Sequence, residues 1–289
     1  MLSILMPAKN EARYIEAALH SVAKIKTGDF EVIIVDDGSS DDTCQVVKTL
    51  GFDFVRLIES GGVGKARAFT LAYESAKGDT FILLAADDLL VAENVEARIS
   101  PIKSQDSAAI SFCRLKSFSE TAKYHGMELP KNSQLGLESG GCMAFNRAFG
   151  DMAFPIPDYL PNEDVWLTLH ARYLPVNVTQ VPKLGILYRI HDNNSYKRGA
   201  PYSQINEQMW LRQRALFYFY ELYKSELSPL TQRKILTQFL LQLTRYLGFT
   251  LTLLILPEAP LKDRIKMLLN SSSLLYSIRE RFYNFFSGR

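Results

Sequence analysis

Cysteine is scarce in this 289-residue chain: Cys44, Cys113 and Cys142 are far apart and odd in number. That argues against a disulfide framework and against the paired spacing of a zinc site, and it makes a reducing cytoplasm the expected setting. An excess of one charge is also missing. The 33 Lys+Arg face 31 Asp+Glu, a net charge of +2, so nothing at whole-chain level suggests a nucleic-acid partner. No basic segment precedes the first apolar residues, and no cleavage-like site follows them, so MLSILM reads as a first strand and not as a signal peptide. A GxGxxG after Met6 is absent, which excludes a dinucleotide fold of that type.

What is present is an ordinary globular balance of 47% hydrophobic and 22% charged residues, unevenly arranged. Residues 224–289 hold 10 Lys+Arg against 4 Asp+Glu, leaving 23 against 27 in the rest, so the tail is basic and the body acidic. Apolar, β-branched runs at Leu2–Met6, Glu31–Val35, Phe52–Ile58 and Phe81–Leu84 alternate with helix-period segments at Ala12–Ala23, Gln45–Lys48 and Lys65–Lys77. Repeated strand, loop and helix imply βαβ units, a parallel sheet and right-handed crossovers, with residues 1–100 as a nucleotide-binding-like half. Residues 101–200 are less regular. A strand is expected over Ala108–Leu115, a glycine-rich strand entry at Gly140–Phe145, a helix from Val165 to Tyr173 after Asn162-Glu163-Asp164, and two short strands at Val176–Val181 and Leu184–Ile190.

The stretch FILLAADDLL, from Phe81 to Leu90, ends a buried-type strand in Asp87 and Asp88. Ligands of open α/β sheets bind beyond the carboxyl ends of the strands, and two acids there suit a divalent cation held together with substrate phosphates. A solvated turn is the bland alternative, because aspartates commonly form turns. Glu163 and Asp164 likewise have a local explanation in the dipole of the helix they open.

From Ile205 onward the chain reads as all helix, placing a boundary near residue 200. Ile235–Leu256 has 14 apolar or aromatic residues of 22, long enough to cross a bilayer if taken alone, but Arg245 sits near its middle. Lys234, Gln238, Gln242, Arg245 and Thr252 form one polar stripe, so an interfacial helix or a small bundle is expected rather than a span, broken at Pro257 and Pro260. Lys262, Arg264, Lys266, Arg279 and Arg281 beside Tyr276, Phe282, Tyr283, Phe285 and Phe286 suit an anionic membrane surface, with a soluble helical cap as the alternative.

Six stretches in order, ILMPAKNEARYI at 4–15, VIIVDDGSSDDT at 32–43, GDTFILLAADDLL at 78–90, GGCMAF at 140–145, NEDVWLTL at 162–169 and YRIHDNNS at 188–195, resemble a family 2 glycosyltransferase of the inverting GT-A type. The resemblance covers roughly residues 1–200. It implies a mixed, mostly parallel α/β sheet flanked by helices, with residues 201–289 as an all-α extension.

It also implies roles. Pro7 and Glu11 would lie against the nucleotide; Asp37, supported by Asp36, would accept from the base's ring N–H; Lys65 and Arg67 would meet the base or diphosphate; Gly140 and Gly141 would admit the donor sugar. Asp87, Asp88 and His191 would hold one Mn²⁺ or Mg²⁺, although Ala85 stands where the family's first metal-motif acid usually is, which puts metal affinity and ribose contacts in question. Asp164 would be the general base, with Glu163 orienting it or touching the acceptor. Asp41 and Asp42 read as structural caps. The partners implied are a nucleotide-sugar donor and a glycan or lipid-linked acceptor, in cell-surface polysaccharide synthesis at the cytoplasmic face of a membrane. A polyprenyl-phosphate acceptor and a nucleotide-sugar binder without turnover remain the alternatives. Pyrophosphorylases of related architecture are disfavoured, because no Gly-rich loop with Thr-Arg follows the first strand.

Overall fold

The computed structural model describes residues 1–26, 28–191, 194, 200–255 and 259–281, with the side chains of Lys123, Leu254, Ile255, Glu280 and Arg281 excepted. Asp192, Asn193 and Ser195 of the YRIHDNNS stretch, Pro257, and the terminal Phe282, Tyr283, Phe285 and Phe286 lie outside the described residues. The chain forms two compact units, Met1–His191 and Asp192–Arg289.

The first unit is built on β1 (Leu2–Ala8), β2 (Phe30–Asp36), β3 (Val55–Glu59) and β4 (Thr80–Leu83), all parallel in the order β3-β2-β1-β4. Every residue of β1 and β4 is buried, which explains their unbroken apolar runs: parallel strands covered on both faces have no solvent side to pattern. The intervening helices are α1 (Ile15–Val22), α2 (Thr43–Leu50) and α3 (Lys65–Ser75). After β2 and β3 have been laid on one side of β1, β4 is laid on the other. This reversal creates a crevice at the carboxyl ends of β1 and β4.

The sheet continues through β8 (Met143–Asn146), antiparallel to β4, then β6 (Ala109–Ser119) and β9 (Asn177–Ile190), with β5 (Leu89–Leu90) at the far edge and β7 (Glu128–Leu129) paired to β6. Helices α4 (Val95–Lys103), α5 (Arg147–Ala153) and α6 (Asp164–Tyr173) complete the unit. The two short strands expected at 176–190 are one strand, Asn177–Ile190. It runs parallel to β6 across a register irregularity between Phe112 and Arg114, which absorbs the interruption suggested by Pro182 and Lys183. Ile4, Met6, Ile34, Ile82 and Leu84 form the centre of the main core, each at 0% exposure. Burial on that scale is worth about 1.5–3 kcal/mol per large side chain, and it makes the strand ends a rigid base for the loops.

The second unit is helical: α7 (Tyr202–Gln213), α8 (Ala215–Tyr223), α9 (Pro229–Tyr246), α10 (Thr250–Ile255), α11 (Leu261–Leu268) and α12 (Ser273–Arg281). One expectation changes here and one open alternative is decided. The long apolar stretch is interrupted well before Pro257, because Gly248 at φ +76 turns the chain between α9 and α10. The choice between an interfacial helix and a small bundle falls to the bundle at Arg245. That residue is fully buried, with its Nε donating to Gln242 Oε1 at 3.1 Å and Nη1 donating to Asn206 Oδ1. Among the described residues no helix is long and apolar enough to cross a membrane.

Candidate active site

The loop after β1 is held by side chains of the turn after β2. Three consecutive backbone N–H groups are taken up: Asn10 donates to Ser39 Oγ at 2.8 Å, Glu11 to Thr43 Oγ1 at 2.8 Å, and Ala12 to Asp41 Oδ2 at 3.1 Å. Asn10 itself adopts φ 58, and its Oδ1 accepts from Ser40 N at 2.8 Å. Short polar side chains in this SSDDT run satisfy backbone donors that the loop cannot pair internally. Asp41 also accepts from Thr43 N at 3.1 Å at the start of α2, so its structural reading is enlarged: it braces the helix start and ties down the neighbouring loop, while Asp42, at the N-cap, makes no side-chain cap hydrogen bond. Sequence reasoning did not assign that second job, because the two loops meet only when β1 and β2 pair.

The interlock presents Glu11 to the crevice. Burial, then the charges of Asp87 and Asp41, push its carboxyl up to about 8, and its Oε2 is buried without a hydrogen-bond partner. Pro7 lies within β1 opposite Val35 and is fully buried. Asp36 ends β2, with Oδ2 accepting from Ser39 N at 3.0 Å, while Asp37 accepts from Gly64 N at 2.8 Å and has Lys9 Nζ 3.7 Å from its other oxygen. The turn needs Gly38, at φ +73, because a Cβ there would meet Gly62 N at 3.0 Å. Asp37 thereby fixes the residue that precedes α3, and hence where Lys65 begins.

Lys65 and Arg67 part company. Lys65 forms an ion pair with Glu163 at 3.3 Å, whereas Arg67 pairs with Glu74 at 3.3 Å along α3. Positions two apart on a helix face nearly opposite ways, so the two cations are engaged in different places. Burial pulls the Lys65 ammonium down, but Glu163, Asp164 and Asp87 together outweigh it and hold it above its ordinary value. Three acids from two segments therefore converge on one cation.

Glu163 is buried immediately before α6, against Gly140: a Cβ on that glycine would lie 2.1 Å from Glu163 Oε1. The glycine's visible task is to make room for this carboxylate. Gly141 abuts Ile186 and Asp88. Asp164, at the first position of α6, is less buried and accepts from Val165 N at 2.8 Å.

Beyond β4, Asp87 and Asp88 diverge in environment. Asp87 Oδ2 lies 3.0 Å from His191 Nε2. Asp88 is buried and accepts from Arg189 N at 2.8 Å. Burial, then the charge of Asp87, raise its carboxyl well above the usual range. One of its oxygens is thus occupied in fastening β9. Arg189 also donates through Nε to Asp87 O at 2.8 Å, and its guanidinium lies over both Tyr14 and Phe118, at 4.6 and 4.4 Å. Tyr14 in turn packs on His191 at 4.7 Å between ring centroids. Tyr14 and the role of Arg189 were not foreseen, although both belong to the stretches NEARY and YRIH. A motif marks such residues but does not say what they stack upon.

A separation of 3.0 Å suits two donors on one edge of an octahedral shell with bonds of roughly 2.1 Å, so Asp87 and His191 fit a small divalent cation. Among the described residues no group of three or more His, Cys, Asp or Glu is arranged to hold a metal, so further ligands would have to come from a phosphate or water.

Solved structures share this architecture. S. aureus TarS in complex with UDP-GlcNAc superposes with a TM-score of 0.63 at 18% identity, covering 96% of this chain and 83% of that one. The mannosyltransferase PcManGT from Pyrobaculum calidifontis, in complex with GDP-Man and Mn²⁺, gives 0.62 at 15% identity over 99% and 84%. At such identities the likeness establishes the GT-A-type fold.

In sequence, an uncharacterised glycosyltransferase of Mycoplasma genitalium is 26% identical over 203 residues, 65% of this chain and 68% of that protein. A PGL/p-HBAD biosynthesis glycosyltransferase of Mycobacterium bovis is 33% identical over 103 residues, but the match spans only 35% of this chain and 40% of that relative. The family described as glycosyl transferase family 2 matches residues 3–154, from β1 through α5, taking in the crevice at the ends of β1, β2 and β4. On that match the chain belongs to glycosyl transferase family 2, and it is a glycosyltransferase.

Proposed function

We propose that the protein transfers a sugar from a nucleoside-diphosphate donor to an acceptor hydroxyl in a single inverting displacement, with Asp164 as general base. The observation that carries this reading is the division of labour between neighbouring acids. Glu163 is buried and ion-paired with Lys65 at 3.3 Å, which occupies its carboxylate and fixes its geometry. Asp164, one residue on and less buried, is the better placed to take a proton. The acceptor oxygen forms its bond to the anomeric carbon as its proton passes to Asp164, while the bond to the diphosphate breaks and its electron pair leaves with the nucleoside diphosphate.

The donor's nucleotide lies along the loops after β1 and β2, against Pro7, Glu11, Asp36 and Asp37. Asp37 reads a ring N–H with the oxygen that Gly64 does not use, because a carboxylate only accepts. Lys65 faces the diphosphate. Gly140 and Gly141 line the sugar site, whereas Arg67, engaged by Glu74, stands aside from it. Asp87 and His191 would hold a divalent cation, with Asp88 fastening β9. Such a cation would offset the charge that develops on the departing diphosphate. Donors of this class accompany the structurally similar proteins, as UDP-GlcNAc and GDP-Man. The acceptor in this reading is a glycan or lipid-linked oligosaccharide of the cell surface, reached from the cytoplasmic face of a membrane that the protein touches through residues 235–289.

The test is Asp164→Asn. It should leave donor-induced thermal stabilisation unchanged and lower transfer by about 10²–10⁴-fold. Transfer at the wild-type rate in that variant would remove Asp164 from the role of base.

A further inference from the structure

Of the 17 large apolar side chains that are exposed among the described residues, 11 belong to the second unit, although it is the smaller of the two. Singly scattered apolar residues need no explanation, but a concentration does. It is densest where α9, α10 and α11 pack around Leu241, Leu253, Ala259 and Met267. At the end of α9, in the turn to α10, and on α10 and α11, Leu247 is 53% exposed, Phe249 58%, Leu251 79%, Leu261 63% and Ile265 42%.

The charges fit the same picture. On α11, Leu261 and Ile265 lie one turn apart and share a face, and Lys262 and Lys266 follow each of them by one residue, both exposed. An apolar strip bordered by lysines faces outward, while Met267 faces the core. The cation that could have spoiled such a surface, Arg245, is sequestered inside by Asn206 and Gln242. None of these helices is long and apolar enough to span a bilayer.

We propose that this corner, Leu247, Phe249, Leu251, Leu261 and Ile265 with Lys262 and Lys266, is an interfacial docking surface for the anionic face of a lipid bilayer. The apolar side chains enter the boundary between headgroups and acyl chains, and the lysines lie among anionic headgroups. The surface gives the membrane contact proposed above a definite location and a lipid charge. It rests on that part of the reading alone and not on the identity of the sugar transferred.

The experiment is flotation of the full chain with vesicles of phosphatidylcholine, with and without phosphatidylglycerol. The wild type should float with the phosphatidylglycerol vesicles and much less with the neutral ones. Each of Lys262→Glu and Lys266→Glu should weaken that binding roughly five-fold or more, and Leu251→Ser with Ile265→Ser should abolish it. All four positions are exposed, so the melting temperature should hold, and transfer to a soluble acceptor, read in parallel, should be unchanged. Failure of the transferase reading would appear only in the second readout. Wild-type protein that stays at the bottom of the gradient with both vesicle types would overturn the proposal. So would a concentration-dependent dimer that the Leu251→Ser, Ile265→Ser variant dissolves, because the surface would then belong to a second copy of the chain.

Discussion

Glu163 and Asp164 are adjacent in sequence and differ in burial and in what they touch. One is closed in between Lys65 and Gly140, and the other is at the mouth of the helix it opens. Gly140→Ala tests whether that enclosure is functional. The new Cβ would overlap the end of the Glu163 side chain, which can swing away only by leaving Lys65. The expected outcome is a melting temperature within a few degrees of the wild type, with loss of about 10²-fold in transfer, read by comparing thermal unfolding with turnover.

A second residue separates stability from catalysis. His170 is fully buried in α6, with Nδ1 2.9 Å from Trp166 O, and burial lowers its ring to about 4 from an ordinary 6.5. Between those values the unfolded chain takes up a proton that the folded chain refuses. The contribution is therefore full above about pH 6.5 and is lost as pH falls towards 4, up to about 3 kcal/mol. Urea midpoints measured across that interval should fall on acidification, and His170→Gln should flatten the slope.

At the scale of elements, the site is a meeting of strand ends and the turns after them. β1, β2 and β4 deliver Glu11, Asp37 and Asp87, and the turn after β2 reaches across to hold the loop after β1. Strands β1, β2 and β4 and the helices between them are legible in the apolar runs, because buried parallel strands carry little polar alternation to confuse the pattern, whereas β3, VRLIE at the sheet edge, has no buried residue. β9 was read as two strands, since its bend against β6 depends on a partner that sequence spacing does not show.

The sequence leaves α9 open between an interfacial helix and a small bundle for a related reason. A polar stripe says that some residues share a face, but not that the face is outward, and Arg245 turns inward once Asn206 of α7 supplies an acceptor. Asn206→Leu should leave that buried guanidinium short of an acceptor and cost the helical unit about 2–3 kcal/mol, visible as a lowered unfolding midpoint. An unchanged midpoint would mean that the guanidinium finds an equivalent partner.

For the whole molecule, binding of donor is the observable that joins the parts. A nucleotide sugar bound only by the folded state should raise the melting temperature, the more so the further its concentration exceeds its Kd, with a logarithmic dependence. In a screen of UDP-, GDP- and dTDP-sugars, one donor class should stabilise the protein, more strongly with Mn²⁺ or Mg²⁺ than with chelator. His191→Ala should erase the metal-dependent part while leaving the rest. If no donor raised the midpoint with either metal, the proposed nucleotide site would fail.

The linear order of residues was enough to establish the alternation of strand and helix, the succession of short acidic stretches at strand ends, the switch to an all-helical composition after about residue 200, and the resemblance that the family match bears out. These depend on local chemistry: periodicity, turn formers and caps act between near neighbours in the chain. Which acid is closed in by a cation, which acid meets a histidine, and which face of a helix is buried are relations between residues far apart in sequence. Glu163 is bound by Lys65 and confined by Gly140, and Asp87 meets His191 across the turn from β4 to the end of β9. Those pairings exist only after the strands have been ordered β3-β2-β1-β4-β8-β6-β9, because burial and Coulomb energy depend on distance through space and not along the chain.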